Sequence, residues 1–267
     1  MRYITFFVLL LLIFSCKTVK ETKSYYYQNE EGFADFYNAN NIKKPLLVII
    51  PEVFNSLITE DFVVNLSKKN RVVVIHYLSS TNTTRVRLID GLQNRLNYYN
   101  TVLSNLELDS NSTIVAEGVN ANLAIQLGYN FNKPKLVLLN SWYPDLKEKL
   151  TTSCYSLQDN SCDSLLNYLS FTDRSQVDAL LNGLTDKNST DNLYGNYTLG
   201  VWRNFMSYNN SQLLKMYPSN PRWVYTTNSG LLSEKDKQYL LNSNGKRKDV
   251  YLISKKEFLK KYNVLSN

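Results

Sequence analysis

Histidine is almost missing from this chain: of 267 residues only His76 is one. A metal site built on several imidazoles is therefore excluded, and a single candidate remains for any imidazole base. Only three cysteines occur, which rules out a four-thiolate zinc site and a disulfide-dense scaffold. Nine glycines and six prolines leave no glycine-rich phosphate loop, no dinucleotide fingerprint and no low-complexity block. No cofactor is implied. Charge is also sparse in pattern. The formal balance is +7, but the basic residues are scattered apart from Lys246-Arg247-Lys248 and Lys255-Lys256 with Lys260-Lys261. Without an arginine-rich stripe or an aromatic stacking platform, a nucleic-acid partner is not expected. These lysines read as solvated faces near the C-terminus, with acidic lipid headgroups as the alternative contact.

What the chain does have is tyrosine, twenty of them, many asparagines, and length enough for one full α/β domain. Its first residues form a secretory pattern: Met1-Arg2, an apolar run from Ile4 to Phe14, then Ser15-Cys16. The run is too short to span a bilayer as a mature helix. Leu12-Ile13-Phe14-Ser15-Cys16 resembles the lipobox of bacterial lipoproteins, with Phe14 atypical at its position. The resemblance implies removal of residues 1–15 and acylation of Cys16, with residues 16–23 as a tether. An ordinary signal peptide is the competing reading. The tether is net basic, which favours an outer-membrane anchor facing the periplasm over one at the cell surface. Cys154 and Cys162 remain. In an extracytoplasmic chain they suit a local disulfide, with two free buried thiols as the alternative.

Strand and helix signals alternate along the rest. Ser24 to Gln28 and Phe33 to Tyr37 read as a hairpin, with Gly32 in the turn and a short helix competing for the second arm. Leu46 to Ile50, Arg71 to Tyr77, Thr113 to Ala116, Lys135 to Leu139, Arg222 to Thr226 and Asp249 to Ile253 are apolar runs suited to strands buried on both faces. Helical spacing runs through Ile58 to Leu66, Arg85 to Leu108, Ser233 to Asn242 and Ser254 to Leu265. From about 145 to 219 the pattern breaks into helical fragments, Ser164 to Ser170, Ser175 to Gly183 and Leu199 to Tyr217, between polar loops. That stretch reads as an inserted cap on a domain of residues 24–267.

The stretch Thr113 to Phe131 passes from strand through a sharp turn into a helix that starts near Asn120. The turn Ala116-Glu117-Gly118-Val119-Asn120-Ala121 resembles the small-x-nucleophile-x-small elbow of the α/β-hydrolase superfamily, with Ala116 in the first small position, Asn120 in place of the usual glycine and Ala121 small after it. The resemblance implies a mostly parallel central sheet flanked by helices, with an inserted helical cap. It also implies a catalytic triad, and this sequence departs from that pattern at each member. Gly118 stands in the nucleophile slot and has no side chain. Glycine takes the strained positive-φ turn at little steric cost. The loop after Leu46–Ile50 should supply an oxyanion hole, yet it holds Pro51, which has no N–H, and Glu52, which is negative. Where the acid should follow Arg222–Thr226 stand Thr227-Asn228-Ser229. Where the histidine should follow Asp249–Ile253 stand Ser254-Lys255-Lys256. His76 ends a strand on the order of 10 Å from the elbow, two strand spacings away.

The expectation is a lipid-anchored α/β-hydrolase-like protein without hydrolase chemistry. It would act as a binding or scaffolding subunit beside another envelope protein. Pro51, Glu52, His76, Ser141, Trp142 and Asn228 are the candidate pocket-lining residues, and no catalytic residue is assigned. Tyr194, Tyr197, Trp202, Phe205 and Tyr208 of the cap either hold a partner or fill the interface between cap and core. Two alternatives stay open. One is a hydrolase with an unorthodox site using Ser141 or Glu117, the latter by analogy with the aspartate of dehalogenase-like relatives. The other is a carrier of a small ligand in the old active-site pocket.

Overall fold

The computed structural model describes residues 19–27, 30–52, 56–76, 92–141, 150–151, 154, 161–185, 192–207, 217, 221–227, 238 and 250–260. Two strands open the described chain, β1 (Lys20–Tyr27) and β2 (Glu30–Tyr37), paired antiparallel from Lys20 opposite Tyr37 to Tyr27 opposite Glu30. The first strand thus begins within the segment read as a tether. The second arm is a strand, as its Phe-x-Asp-x-Tyr alternation suggests. Gly32 belongs to that strand and not to a turn. A Cβ there would lie 2.3 Å from the Tyr98 hydroxyl, so this glycine allows a tyrosine to cross the strand closely.

Parallel strands follow: β3 (Leu46–Ile50), β4 (Arg71–Ile75), β5 (Thr113–Glu117), β6 (Lys135–Leu139), β9 (Arg222–Thr226) and β10 (Val250–Ile253). The short pair β7 (Leu193–Tyr194) and β8 (Tyr197–Thr198) lies apart from them. The main sheet has eight strands in the order β1-β2-β4-β3-β5-β6-β9-β10, and β1 and β2 are its antiparallel members. The central strands are short runs of Val, Ile and Leu because both faces are covered.

Helices α1 (Glu60–Ser67) and α7 (Lys255–Lys260) cover one face, where Phe62 stacks on Phe258 with ring centroids 5.0 Å apart. Thr59 caps α1 by accepting from the Phe62 N–H at 3.3 Å. Ser254 and Glu257 cap α7 reciprocally: Ser254 Oγ accepts the Glu257 N–H at 3.1 Å, and Glu257 accepts the Ser254 N–H at 3.2 Å. Helices α2 (Leu92–Leu103) and α3 (Val119–Asn130) cover the other face.

The cap helices α4 (Ser161–Leu169), α5 (Arg174–Gly183) and α6 (Leu199–Ser207) extend that second core without a break. Trp202, Phe205 and Tyr197 are buried in it, Trp202 completely. These aromatics fill the interface between cap and core, as the second of the two sequence readings has it. Tyr194 is half-buried against the same cluster, and Tyr208 lies outside the described residues. Burial of each such ring is worth on the order of 2–3 kcal/mol, which anchors the cap to the sheet. Cys154 and Cys162 form a disulfide inside this cluster, with Cα atoms 4.7 Å apart.

Candidate functional site

The site is the C-terminal end of the parallel strands, where β3 and β5 are neighbours and β5 turns into α3. Gly118 is that turn, with φ +60° and ψ −128°. Its N–H donates to Leu139 O of β6 at 2.9 Å, which fixes the turn against the next strand. The backbone is that of a strained elbow held by its neighbours. A side chain here would begin 1.8 Å from Glu52 Oε2. The space a nucleophile would use is therefore taken by the Glu52 carboxylate.

Glu52 comes from the loop after β3. Its Oε2 accepts the Val119 N–H at 2.9 Å. Val119 follows the elbow residue, and in hydrolases of this layout that N–H is an oxyanion donor. A resident carboxylate thus satisfies the donor that a reacting oxygen would need. The other Glu52 oxygen accepts a short hydrogen bond from the Tyr197 hydroxyl, contributed by the cap. Buried Arg95 of α2 lies behind that tyrosine, its guanidinium carbon 5.4 Å from the ring centroid. Cap, β3 loop and elbow meet in this one cluster, and protein side chains fill the space above Gly118.

Glu117, the last residue of β5, points into the same loop from beneath. It accepts from the Leu57 N–H at 2.8 Å, the Ser56 hydroxyl at 2.5 Å and the Glu52 N–H at 3.3 Å. Burial pushes its carboxyl above the ordinary glutamate range and the nearby Glu52 charge adds to this, while the Ser56 and Leu57 donors pull the other way. All its oxygens hold the loop in place, which is a structural job. Asn120 works similarly. Its Nδ2 donates to Pro51 O at 2.8 Å and its Oδ1 accepts from the Tyr99 hydroxyl at 3.0 Å, so it fills the place where relatives have glycine. Ala116 and Ala121 are fully buried, as close packing of strand and helix requires.

The other sequence candidates do not converge here. Ser141 is fully buried at the end of β6 and its Oγ donates to Asn122 Oδ1 at 3.1 Å. His76 sits at the end of β4 on the α1 side of the sheet and faces β2. Its Nε2 is 2.9 Å from Asp35 Oδ2. Asp35 also accepts from Thr22 Oγ1 at 2.6 Å and pairs with Lys20 at 3.0 Å. Burial pushes the Asp35 carboxyl up, but its Thr22, His76 and Lys20 partners outweigh that and hold it below the ordinary aspartate range. The only imidazole in the chain is thereby committed to a structural cluster at the edge of the sheet. Trp142, Asn228 and Cys16 lie outside the described residues. Among the described residues no group of three or more His, Cys, Asp or Glu is placed to hold a metal ion.

Sequence reasoning missed Arg95 and the role of Tyr197. Arg95 carried a signal: it stands in the apolar stripe of α2, one turn from Tyr99 and in line with Val102 and Leu103, where a solvated arginine would not be placed. The pairing of Tyr197 with Glu52 spans 145 positions and had none.

No protein-family model matches the chain, and no curated protein matches it in sequence. Solved structures are similar to it. The thioesterase domain from the curacin biosynthetic pathway superposes with a TM-score of 0.53 at 16% identity, covering 93% of this chain and 98% of that one. A loop variant of haloalkane dehalogenase from Bradyrhizobium elkanii gives 0.53 at 8% identity over 88% of each chain. A proline iminopeptidase-related protein from Thermus thermophilus gives 0.53 at 12% identity, over 93% of this chain and 99% of its own. At such identities the likeness extends to architecture alone. The chain has the α/β-hydrolase fold, a mostly parallel eight-stranded sheet flanked by helices.

Proposed function

We propose that this is a lipid-anchored envelope protein whose α/β-hydrolase fold does no hydrolysis and serves instead as a binding or scaffolding subunit of an outer-membrane complex. One observation carries the reading: the Glu52 carboxylate occupies the elbow, against Gly118 and on the Val119 N–H. A nucleophile and a free oxyanion donor are both needed for acyl transfer, and this arrangement supplies neither at that point. A resident negative charge also repels the oxyanion it would have to stabilise. Triad members act as a unit, so a site lacking its nucleophile has already lost most of its rate.

The unorthodox hydrolase is disfavoured by the same geometry, because Ser141 is buried and Glu117 is occupied by loop donors. A small-ligand carrier is disfavoured because Glu52, bonded to Tyr197, occupies the space directly above the elbow. The Cys154–Cys162 disulfide suits an oxidising compartment, in keeping with export and with acylation at Cys16. The anchor faces the periplasm on this reading, and the partner is another envelope protein.

Two experiments test it. Purified protein is incubated with short acyl esters and with a serine-reactive phosphonate, and neither turnover nor labelling is expected. Native membranes are then solubilised and the chain recovered through a tag at Asn267, with a stoichiometric outer-membrane partner expected. Ester turnover abolished by Glu117→Gln or Ser141→Ala would sink the proposal.

A further inference from the structure

The end of the domain opposite the elbow is a second surface, and its composition is unlike that of the site. Strand β1 enters there, β2 leaves there, β3 and β4 begin there, and α1 ends there. Several hydrogen bonds hold these ends together. The Asn38 N–H donates to Val19 O at 3.0 Å, Asn38 Nδ2 to Ser67 O at 2.7 Å, and Lys44 Nζ to Lys68 O at 2.7 Å. Two aliphatic side chains stand out from this end: Ile42 is 79% exposed and Val19 66%. Lys43, in the β2–β3 loop, and Lys68 and Lys69, in the turn between α1 and β4, are exposed at the same end. Among the described residues, the acidic ones at this end, Glu107 and Asp109, lie further along, before β5, and Glu21 is engaged by Lys23 at 3.7 Å.

Covalent geometry ties this end to Cys16. Two residues, Lys17 and Thr18, separate Cys16 from Val19, so the chain takes three steps, and an extended chain covers at most about 3.6 Å per residue. Whatever path it takes, the Cys16 backbone lies within about 11 Å of Val19. An acyl group on Cys16 therefore brings Val19, Ile42 and the three lysines to the headgroup layer. Exposed aliphatic side chains and lysines at one end of the domain match that layer: apolar area enters it and ammonium groups meet phosphates.

We propose that this end of the domain is a membrane-docking surface for anionic phospholipid, so that the cap and elbow point away from the bilayer. This rests on the reading of Cys16 as the anchoring residue. Docking adds a second attachment to the acyl chains and removes free rotation about the tether. It also presents the cap, at the far ends of the strands, to the aqueous side where a partner would approach.

The test separates the surface from natural acylation. Cys16 is the one cysteine outside the disulfide. The chain beginning at Cys16 is coupled through that thiol to maleimide phospholipid in phosphatidylglycerol/phosphatidylcholine vesicles. Lysines are then modified with an impermeant acylating reagent and read by mass spectrometry. At least fivefold slower modification of Lys43, Lys68 and Lys69 than in the uncoupled protein is expected. Lys255 and Lys256, exposed beyond the far end of β10, should react at the uncoupled rate. The triple variant K43E/K68E/K69E should lose the orientation, so that Lys44 and Lys255 become equally reactive relative to the uncoupled chain. Unprotected Lys43, Lys68 and Lys69, or equal protection of Lys255 and Lys256, overturns the proposal. Acylation of Cys16 in cells is read separately by palmitate incorporation, so failure of the anchor is distinguishable from failure of the surface.

Discussion

Glu52 and Gly118 compete for one volume: Glu52 Oε2 lies 1.8 Å from where a Cβ on Gly118 would sit. The two residues are 66 positions apart and belong to different strand ends. Each makes the other tolerable. The glycine leaves room for the carboxylate, and the carboxylate satisfies the Val119 N–H that the elbow exposes.

Gly118→Ser should therefore fail to restore catalysis. The serine would strain a positive-φ position and displace Glu52 from its Val119 and Tyr197 partners, at a combined cost of roughly 2–4 kcal/mol. The double variant E52G/G118S should recover part of that loss, because the steric conflict is gone. Urea midpoints of the two variants and the wild type measure the coupling. Equal destabilisation in the single and double variants would show that the two sites are independent.

Glu117 gives a pH signature. Its folded carboxyl lies above the ordinary 4.5 because burial outweighs its donors. An acid with a raised folded pKa contributes stability that is complete below its unfolded pKa and is lost as pH rises through the folded value. Stability should thus decline with rising pH in that window, and Glu117→Gln should flatten the decline. Glu117→Ala leaves the Leu57 and Glu52 N–H groups without their acceptor and should cost about 2–4 kcal/mol. Denaturant titrations at a series of pH values between 4 and 8, that is, across roughly the carboxylate-to-neutral range, check both.

Asp35 should behave in the opposite sense. Its Thr22, His76 and Lys20 partners hold it below the ordinary 3.8, so its contribution is present above that value and is lost as pH falls through the folded pKa. Asp35→Asn should destabilise by about 1–2 kcal/mol at neutral pH, discounted because Lys20 and His76 are well solvated. The difference should shrink toward zero in acid. Thermal unfolding at two pH values is sufficient to see it.

The disulfide spans eight positions in the cap. By loop-closure entropy its removal costs about 2–3 kcal/mol. The paired variant C154S/C162S should lower the unfolding midpoint accordingly, while a reductant should leave that variant's midpoint where it was. If reductant shifts both equally, the cross-link is not the cause.

Much of this architecture was written locally. Leu46–Ile50 and Arg71–Ile75 are strands because short β-branched runs between polar breaks suit nothing else, and their order follows from the alternation with helices. The empty nucleophile slot and the lone histidine could be read directly, since each is a matter of which side chain exists. Gly32 was misplaced because a glycine has no side chain to declare whether it serves a turn or a close approach. The Tyr98 ring that needs the space lies 66 residues away.

What the sequence determined by itself is the inventory and the local periodicity: which groups can react, and where strands and helices form. Only the tertiary structure decided what those groups do to one another. Glu52 lies on the Val119 amide, Tyr197 on Glu52 and His76 on Asp35 because the sheet order and the cap bring distant strand ends together. Such contacts depend on through-space distance after packing, and no spacing along the chain encodes that distance.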